Sequence, residues 1–231
     1  MVDSRILSTK TLADAIRRMG RPPAVFVSVS AVGAYGSRGD EVLTEADSLG
    51  GGFLADVCRA WEAAAAPVQQ AGVRLVIPRQ GIVATAAGGA FGIMVPVFRT
   101  GLGGRLGDGE QYWSWVAMDD LLAAFEWALH DEGVEGPVNF TSPVPLSNRE
   151  VTQTLGRVLR RPAKMAAPAP LLRTALRGMG EEMLLASQRA VPKRLEERGF
   201  RFAFPRLEDA LRYELGRAQA MQAAYQVPEL R

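Results

Sequence analysis

Three short β-branched runs constrain this chain more than any other feature. AVFVSVSAV (24–32), VRLVIP (73–78) and PVNFTS (137–142) each stand between turn-forming residues. They lack the strict apolar–polar alternation of a strand with one wet face. Such runs read as strands covered on both faces, which is the habit of parallel sheets. The segments between them are helical. Leu54, Val57, Trp61, Ala65 and Val68 step by three and four residues, one face of a helix with about 3.6 residues per turn. Pro67 ends that helix early and Gly72 closes it. Residues 4–19 read as an earlier helix, with Gly20 and Pro22 at its stop. A further apolar helix is expected near 90–99. LLAAFEWALH (121–130) follows, capped by Asp119 or Asp120, and REVTQTLGRVLRR (149–161) is capped by Asn148 and ended by Pro162. YWSWVAM (112–118) reads as extended, and 33–52 and 101–111 as loops. From 170 onward the pattern is mostly helical, broken by GFRFAFP (199–205).

Alternating strands and helices predict an α/β fold, with a parallel sheet between two helical layers. The strand–helix part, 1–145, reads as a partial Rossmann-like domain. Residues 146–231 read as a mostly helical C-terminal lobe, with the boundary near Pro143–Ser147.

Residue usage excludes several classes of chemistry. A single cysteine, Cys58, and a single histidine, His130, rule out a disulfide framework, a multi-cysteine metal site and a histidine-rich metal centre; no metal site is expected. Residues 1–156 carry 12 basic and 17 acidic side chains, and residues 157–231 carry 15 and 8. Acidic residues are interspersed in that basic third without aromatic–basic alternation, so a solvated surface is expected there and no nucleic-acid partner. The N-terminal stretch is charged throughout and no apolar run approaches a membrane span. A cytoplasmic location with no membrane partner is the expectation.

A series of strings then points to a family. They are Ser28-Val-Ser-Ala-Val-Gly-Ala-Tyr-Gly36, Gly52-Phe-Leu-Ala-Asp-Val-Cys-Arg-Ala-Trp-Glu62, Arg79-Gln-Gly-Ile-Val83 and Phe98-Arg-Thr-Gly-Leu-Gly-Gly-Arg-Leu-Gly107. Trp113-Ser-Trp-Val-Ala-Met-Asp-Asp-Leu121, Ser187-Gln-Arg-Ala-Val-Pro192 and Gly199-Phe-Arg-Phe-Ala-Phe-Pro205 complete it. In this order, over almost the whole chain, they resemble the atypical extended short-chain dehydrogenase/reductases: the nucleoside-diphosphate-sugar epimerase-like branch with a C-terminal domain of unknown function. The resemblance implies a Rossmann-like fold, NADP(H) as cofactor and a nucleotide-sugar-like or small carbonyl/hydroxyl substrate.

Two departures qualify that implication. The sequence contains no G-x-G-x-x-G, the turn that seats a dinucleotide pyrophosphate at a helix N-terminus. Gly101-Leu-Gly-Gly-Arg-Leu-Gly107 has Leu106 where the third glycine belongs. Set against the family, the chain reads as starting at the helix that crosses between the two half-sheets, with the dinucleotide-binding half missing and NADP(H) binding weakened or lost. The superfamily's Tyr-x-x-x-Lys acid–base pair also falls, in register with Glu62, on Leu54 and Cys58. Leucine has no proton to give, and an unperturbed thiol with a pKa of about 8.5 lacks the paired cation. The atypical branch lacks this pair as well.

The candidate site residues follow from the resemblance, each beside a plainer reading. Ser30, at the end of the first strand, corresponds to the substrate-binding serine, or is a turn residue. Tyr35 stands in as proton donor, or packs over the loop. The backbone of Gln80, Gly81 and Ile82 lines the nicotinamide carboxamide, or makes a simple turn. Arg105 clamps a substrate phosphate or carboxylate, or is a solvated loop residue. Cys58 and Trp61 read as core on the inner helix face, Glu62 as a surface or ion-pair residue, Trp113 and Trp115 as core, and His130 as a helix C-terminal charge. Two functions are carried forward: an NAD(P)-dependent epimerase- or reductase-like protein acting on a small-molecule substrate, and a non-enzymatic small-molecule-binding or interaction module on the same scaffold. The uncharged, apolar Ala24–Val32 edge also suggests a homo-oligomer.

Overall fold

The computed structural model describes residues 2–167 and 184–217. Three parallel strands form its centre. β4 (Arg74–Gln80) lies in the middle, β8 (Gly136–Phe140) pairs with one side, and β1 (Val25–Val27) and β2 (Ser30–Ala31) pair with the other. β1 and β2 keep one register, with Val27 opposite Val76 and Ser30 opposite Arg79. They are one strand interrupted at Ser28–Val29, and Pro78 is the cause. Arg74 donates its N–H to Ala24 and Ser28 donates to Val76. That ladder puts position 78 where its N–H would meet the Ser28 carbonyl, and proline has none to offer.

Period-two alternation then assigns the two faces. Leu75 and Ile77, with Phe26, pack against Ala13 and Ile16 of α1 (Val2–Arg17) and Ala65 of α2 (Phe53–Ala65). Val76, Val138 and Phe140 face the other way, onto Leu121, Ala124 and Ala128 of α4 (Met118–His130) and Leu195 of α6 (Lys193–Glu197). A 3₁₀ turn over Ala66–Ala71 carries Pro67 at its start and closes on Gly72 in the left-handed region, as the sequence indicated.

A second core joins α3 (Gly89–Arg99), α5 (Asn148–Leu159) and α7 (Leu207–Glu214) around Trp113 and Trp115. It draws Phe91 and Phe98 from one side of position 145 and Leu155 and Leu211 from the other. Two short ladders make further connections. β3 (Val42–Leu43) pairs with β10 (Arg189–Ala190), and β6 (Tyr112–Trp113) pairs antiparallel with β9 (Leu146–Ser147).

Several local expectations need correction. The 33–52 segment is not all loop, since it contains β3 and a 3₁₀ turn at Val32–Tyr35. YWSWVAM is two strands, because β6 pairs with β9 while β7 (Trp115–Val116) pairs with β5 (Ile82–Val83). Neither Asp119 nor Asp120 caps α4, whose N-cap is Ala117 without a side-chain bond. Asp120 is buried and accepts from the N–H groups of Ala203 and Phe204, tying the Phe-rich segment to the helix. Nor does Asn148 cap α5. Ser147 does, in a reciprocal capping box with Glu150, a signature that Ser-x-x-Glu spells in the sequence. The expected helices after 170 fall largely on 168–183 and 218–231, outside the described residues. What is described there is β10, α6 and α7.

Candidate functional site at the strand ends

The C-terminal ends of the three parallel strands bring Ser30, Arg79 and Asn139 side by side on the α2 face. Helix α2 supplies Glu62, and the 3₁₀ turn supplies Tyr35. These five side chains form one hydrogen-bonded chain. Ser30 Oγ donates to Glu62 Oε1 at 2.7 Å. Arg79 meets the same carboxylate with two parallel bonds, Nε to Oε1 at 3.0 Å and Nη2 to Oε2 at 2.9 Å. Arg79 Nη1 donates to Tyr35 Oη at 3.1 Å, and the guanidinium lies 4.9 Å from the Tyr35 ring centre. Tyr35 in turn donates to Asn139 Oδ1 at 2.8 Å. Asn139 gives its Nδ2 hydrogen to Val191 and its backbone N–H to Glu45.

Most of the network is shielded from water, Glu62 being its most exposed member. Ser30 is 2% exposed and Tyr35 is fully buried. Burial raises the Tyr35 hydroxyl above its ordinary pKa, against the pull of Arg79. Burial would lower Arg79, but its bonds to Glu62 and Tyr35 outweigh that and keep it charged. Burial also raises Glu45, although it accepts from Asn139 and from the first turn of α6.

Each sequence candidate can now be placed. Ser30 and Tyr35 come together in this network, with both hydroxyls engaged. Gly81 is fixed by packing, because a Cβ there would lie 2.5 Å from the Ser114 carbonyl oxygen. The N–H of Gly81 goes to Phe140 and that of Ile82 to Ser114, so neither is offered to a ligand. Gln80 ends the central strand, half-buried, and its side-chain amide has no hydrogen bond among the described residues. Arg105 lies apart, exposed on the glycine-rich loop and without an ion-pair partner among the described residues. Leu54 packs against Gly33, and Cys58 is buried next to Ser30, its thiol raised by burial. Trp61 donates to Thr9 of α1. Asn139, Glu45 and the role of Arg79 were missed. The signal was available for two of them: a charged or amide side chain inside an otherwise apolar strand must find a buried partner.

This is a Rossmann-like α/β protein with a polar network where such sheets gather their ligands. The chain belongs to the epimerase family. It is 43% identical over 211 residues to an epimerase family protein of Mycobacterium bovis, covering 91% of this chain and 69% of that one. An Arabidopsis thaliana chloroplastic member is 38% identical over 211 residues, covering 90% and 60%. Residues 167–214 match the family described as "Domain of unknown function (DUF1731)". Among solved structures, a human epimerase family protein crystallised with NADPH superposes with a TM-score of 0.89 at 32% identity, covering 94% of this chain and 74% of that one. A nucleoside-diphosphate sugar epimerase of Corynebacterium glutamicum superposes at 0.79 with 36% identity, over 94% and 43%. Among the described residues no helix is long and apolar enough to cross a membrane.

Proposed function

We propose that this chain is an NAD(P)-linked, epimerase-like protein. It holds the nicotinamide end of the cofactor at the C-terminal ends of β2, β4 and β8 and acts on a small carbonyl or hydroxyl substrate, nucleotide sugars being the first class to test. The observation that carries this reading is the close superposition on the human relative solved with NADPH.

Gln80 would meet the carboxamide, with Gly81 and Ile82 lining the site by shape. When bound, the cofactor supplies hydride chemistry. This chain's own residues position and shield. The Glu62–Arg79 pair fixes a charged floor, and Ser30 and Tyr35 reach a substrate only by exchanging their present partners. Arg105 would take an anionic end of the substrate, its planar fork suiting a phosphate.

Leu54 and Cys58 favour the second reading, a binding module without catalysis, since neither supplies the superfamily's proton transfer. Incubation with oxidised NADP+ and UDP- or dTDP-hexoses deuterated on their ring carbinol carbons separates the two by NMR and mass spectrometry, since the oxidised cofactor takes the deuteride and can return it. Deuterium on the cofactor or an epimerised sugar supports the enzyme. No transfer of deuterium and an unchanged sugar at saturating cofactor overturns it in favour of the binding module.

A further inference from the structure

We propose that Gln111 and Asn148 form a buried subsite for one hydroxyl group of a sugar or polyol, separate from the strand-end network. The two residues continue the β6–β9 register one step outward, past the Tyr112–Ser147 pair. The Asn148 N–H donates to the Gln111 carbonyl at 2.8 Å. Directly opposed residues of an antiparallel pair project their side chains to the same face. Both side chains reach one residue of the glycine-rich loop. Asn148 Oδ1 accepts the Leu106 N–H at 2.8 Å, and Gln111 Nε2 donates to the Leu106 carbonyl at 3.1 Å and to that of Leu184 at 3.1 Å. These bonds fix which end of each amide is oxygen and which is nitrogen.

What remains is one acceptor, Gln111 Oε1, and one donor, Asn148 Nδ2. Both are buried and without a partner among the described residues. Buried polar atoms are nearly always paired, and an unpaired one carries its full desolvation penalty. A donor and an acceptor left on one face match a single hydroxyl, which accepts from Asn148 and donates to Gln111. A carboxylate or phosphate oxygen would satisfy the donor and face the acceptor with like charge, so an alcohol fits and an anion does not. Leu106 closes over the pair. Its loop carries Gly107 and Gly109 in the left-handed region, and Arg105 lies next to it in sequence at the surface.

The test follows the side-chain amide resonances of Asn148 and Gln111 during titration of the full chain with D-glucose or myo-inositol. Tetrahydropyran serves as the hydroxyl-free control and inorganic phosphate as the anion control. Saturable shifts of the Asn148 amide with the polyols alone are expected. Asn148→Asp keeps the acceptor for Leu106 and replaces the donor, and it should weaken binding at least about tenfold. If that variant does not fold, the wild-type titration decides alone. Amide resonances that no polyol moves, with a crystal structure showing one enclosed water bonded to both groups, would overturn the proposal.

Discussion

Arg79 and Glu62 meet in a bidentate pair beneath the ends of three strands, at 3.0 and 2.9 Å, with both side chains nearly sealed from solvent. Removing one member leaves the other charged and unpaired, which costs about 3–5 kcal/mol in buried pairs. Arg79→Met is expected to lose that much in urea denaturation. The double variant Arg79→Met/Glu62→Leu should recover a large part of it, because the buried charge is gone as well. A loss in Arg79→Met below about 1 kcal/mol, the range of solvated pairs, would show that water reaches the guanidinium.

Glu45 carries the clearest pH signature. Burial raises its carboxyl above the ordinary 4.5, so the folded protein holds this proton more tightly than the unfolded chain does. Stability from this group is full below the unfolded value and declines as pH rises through the folded one. Glu45→Gln resembles the protonated form and keeps an acceptor for the Asn139 N–H. Its Tm should approach the wild-type value at about pH 4 and gain on it toward about pH 7. A gap that is constant with pH would place Glu45 in solvent.

Gly81 tests the close packing where β4 passes into β5 beside β7. An added Cβ would lie 2.5 Å from the Ser114 carbonyl oxygen and 3.1 Å from Thr141 Cγ2. Both neighbours are held, Ser114 by its bonds to Gln188 and Ala190. Gly81→Ala is therefore expected to lose about 1–3 kcal/mol by overpacking, read from the urea midpoint. A variant as stable as wild type would mean that the strand can slide.

Cys58 tests the α2 face. It is buried, and burial raises its thiol, so both access and thiolate fraction are low. A disulfide reagent should modify it slowly in the native protein and rapidly in denaturant. Equal rates would put that helix face outward.

The sheet and its layers were legible because buried parallel strands and helical stripes have different periods. The same local logic failed where a side chain found a distant partner. Asp119 and Asp120 look like caps, yet Asp120 serves the backbone at 203–204, which no window around residue 120 contains. Asn148 sits one place after the true cap, so local chemistry named the wrong neighbour even though Ser147 and Glu150 spell the motif. Ser30 and Tyr35 were singled out by resemblance and do meet at the strand ends. Their partners Glu62, Arg79 and Asn139 come from a helix and two other strands, so the network existed only once those elements were assembled.

The central claim, that the nicotinamide end of the cofactor is held at the strand ends beside Gln80, is tested most directly by competition. NADPH fluorescence is titrated with the chain, and then reduced nicotinamide mononucleotide is added. The account predicts saturable NADPH binding that the mononucleotide displaces and that Gln80→Ala weakens. NADPH binding that the mononucleotide does not displace and that Gln80→Ala leaves unchanged, or no binding at any concentration, would contradict it.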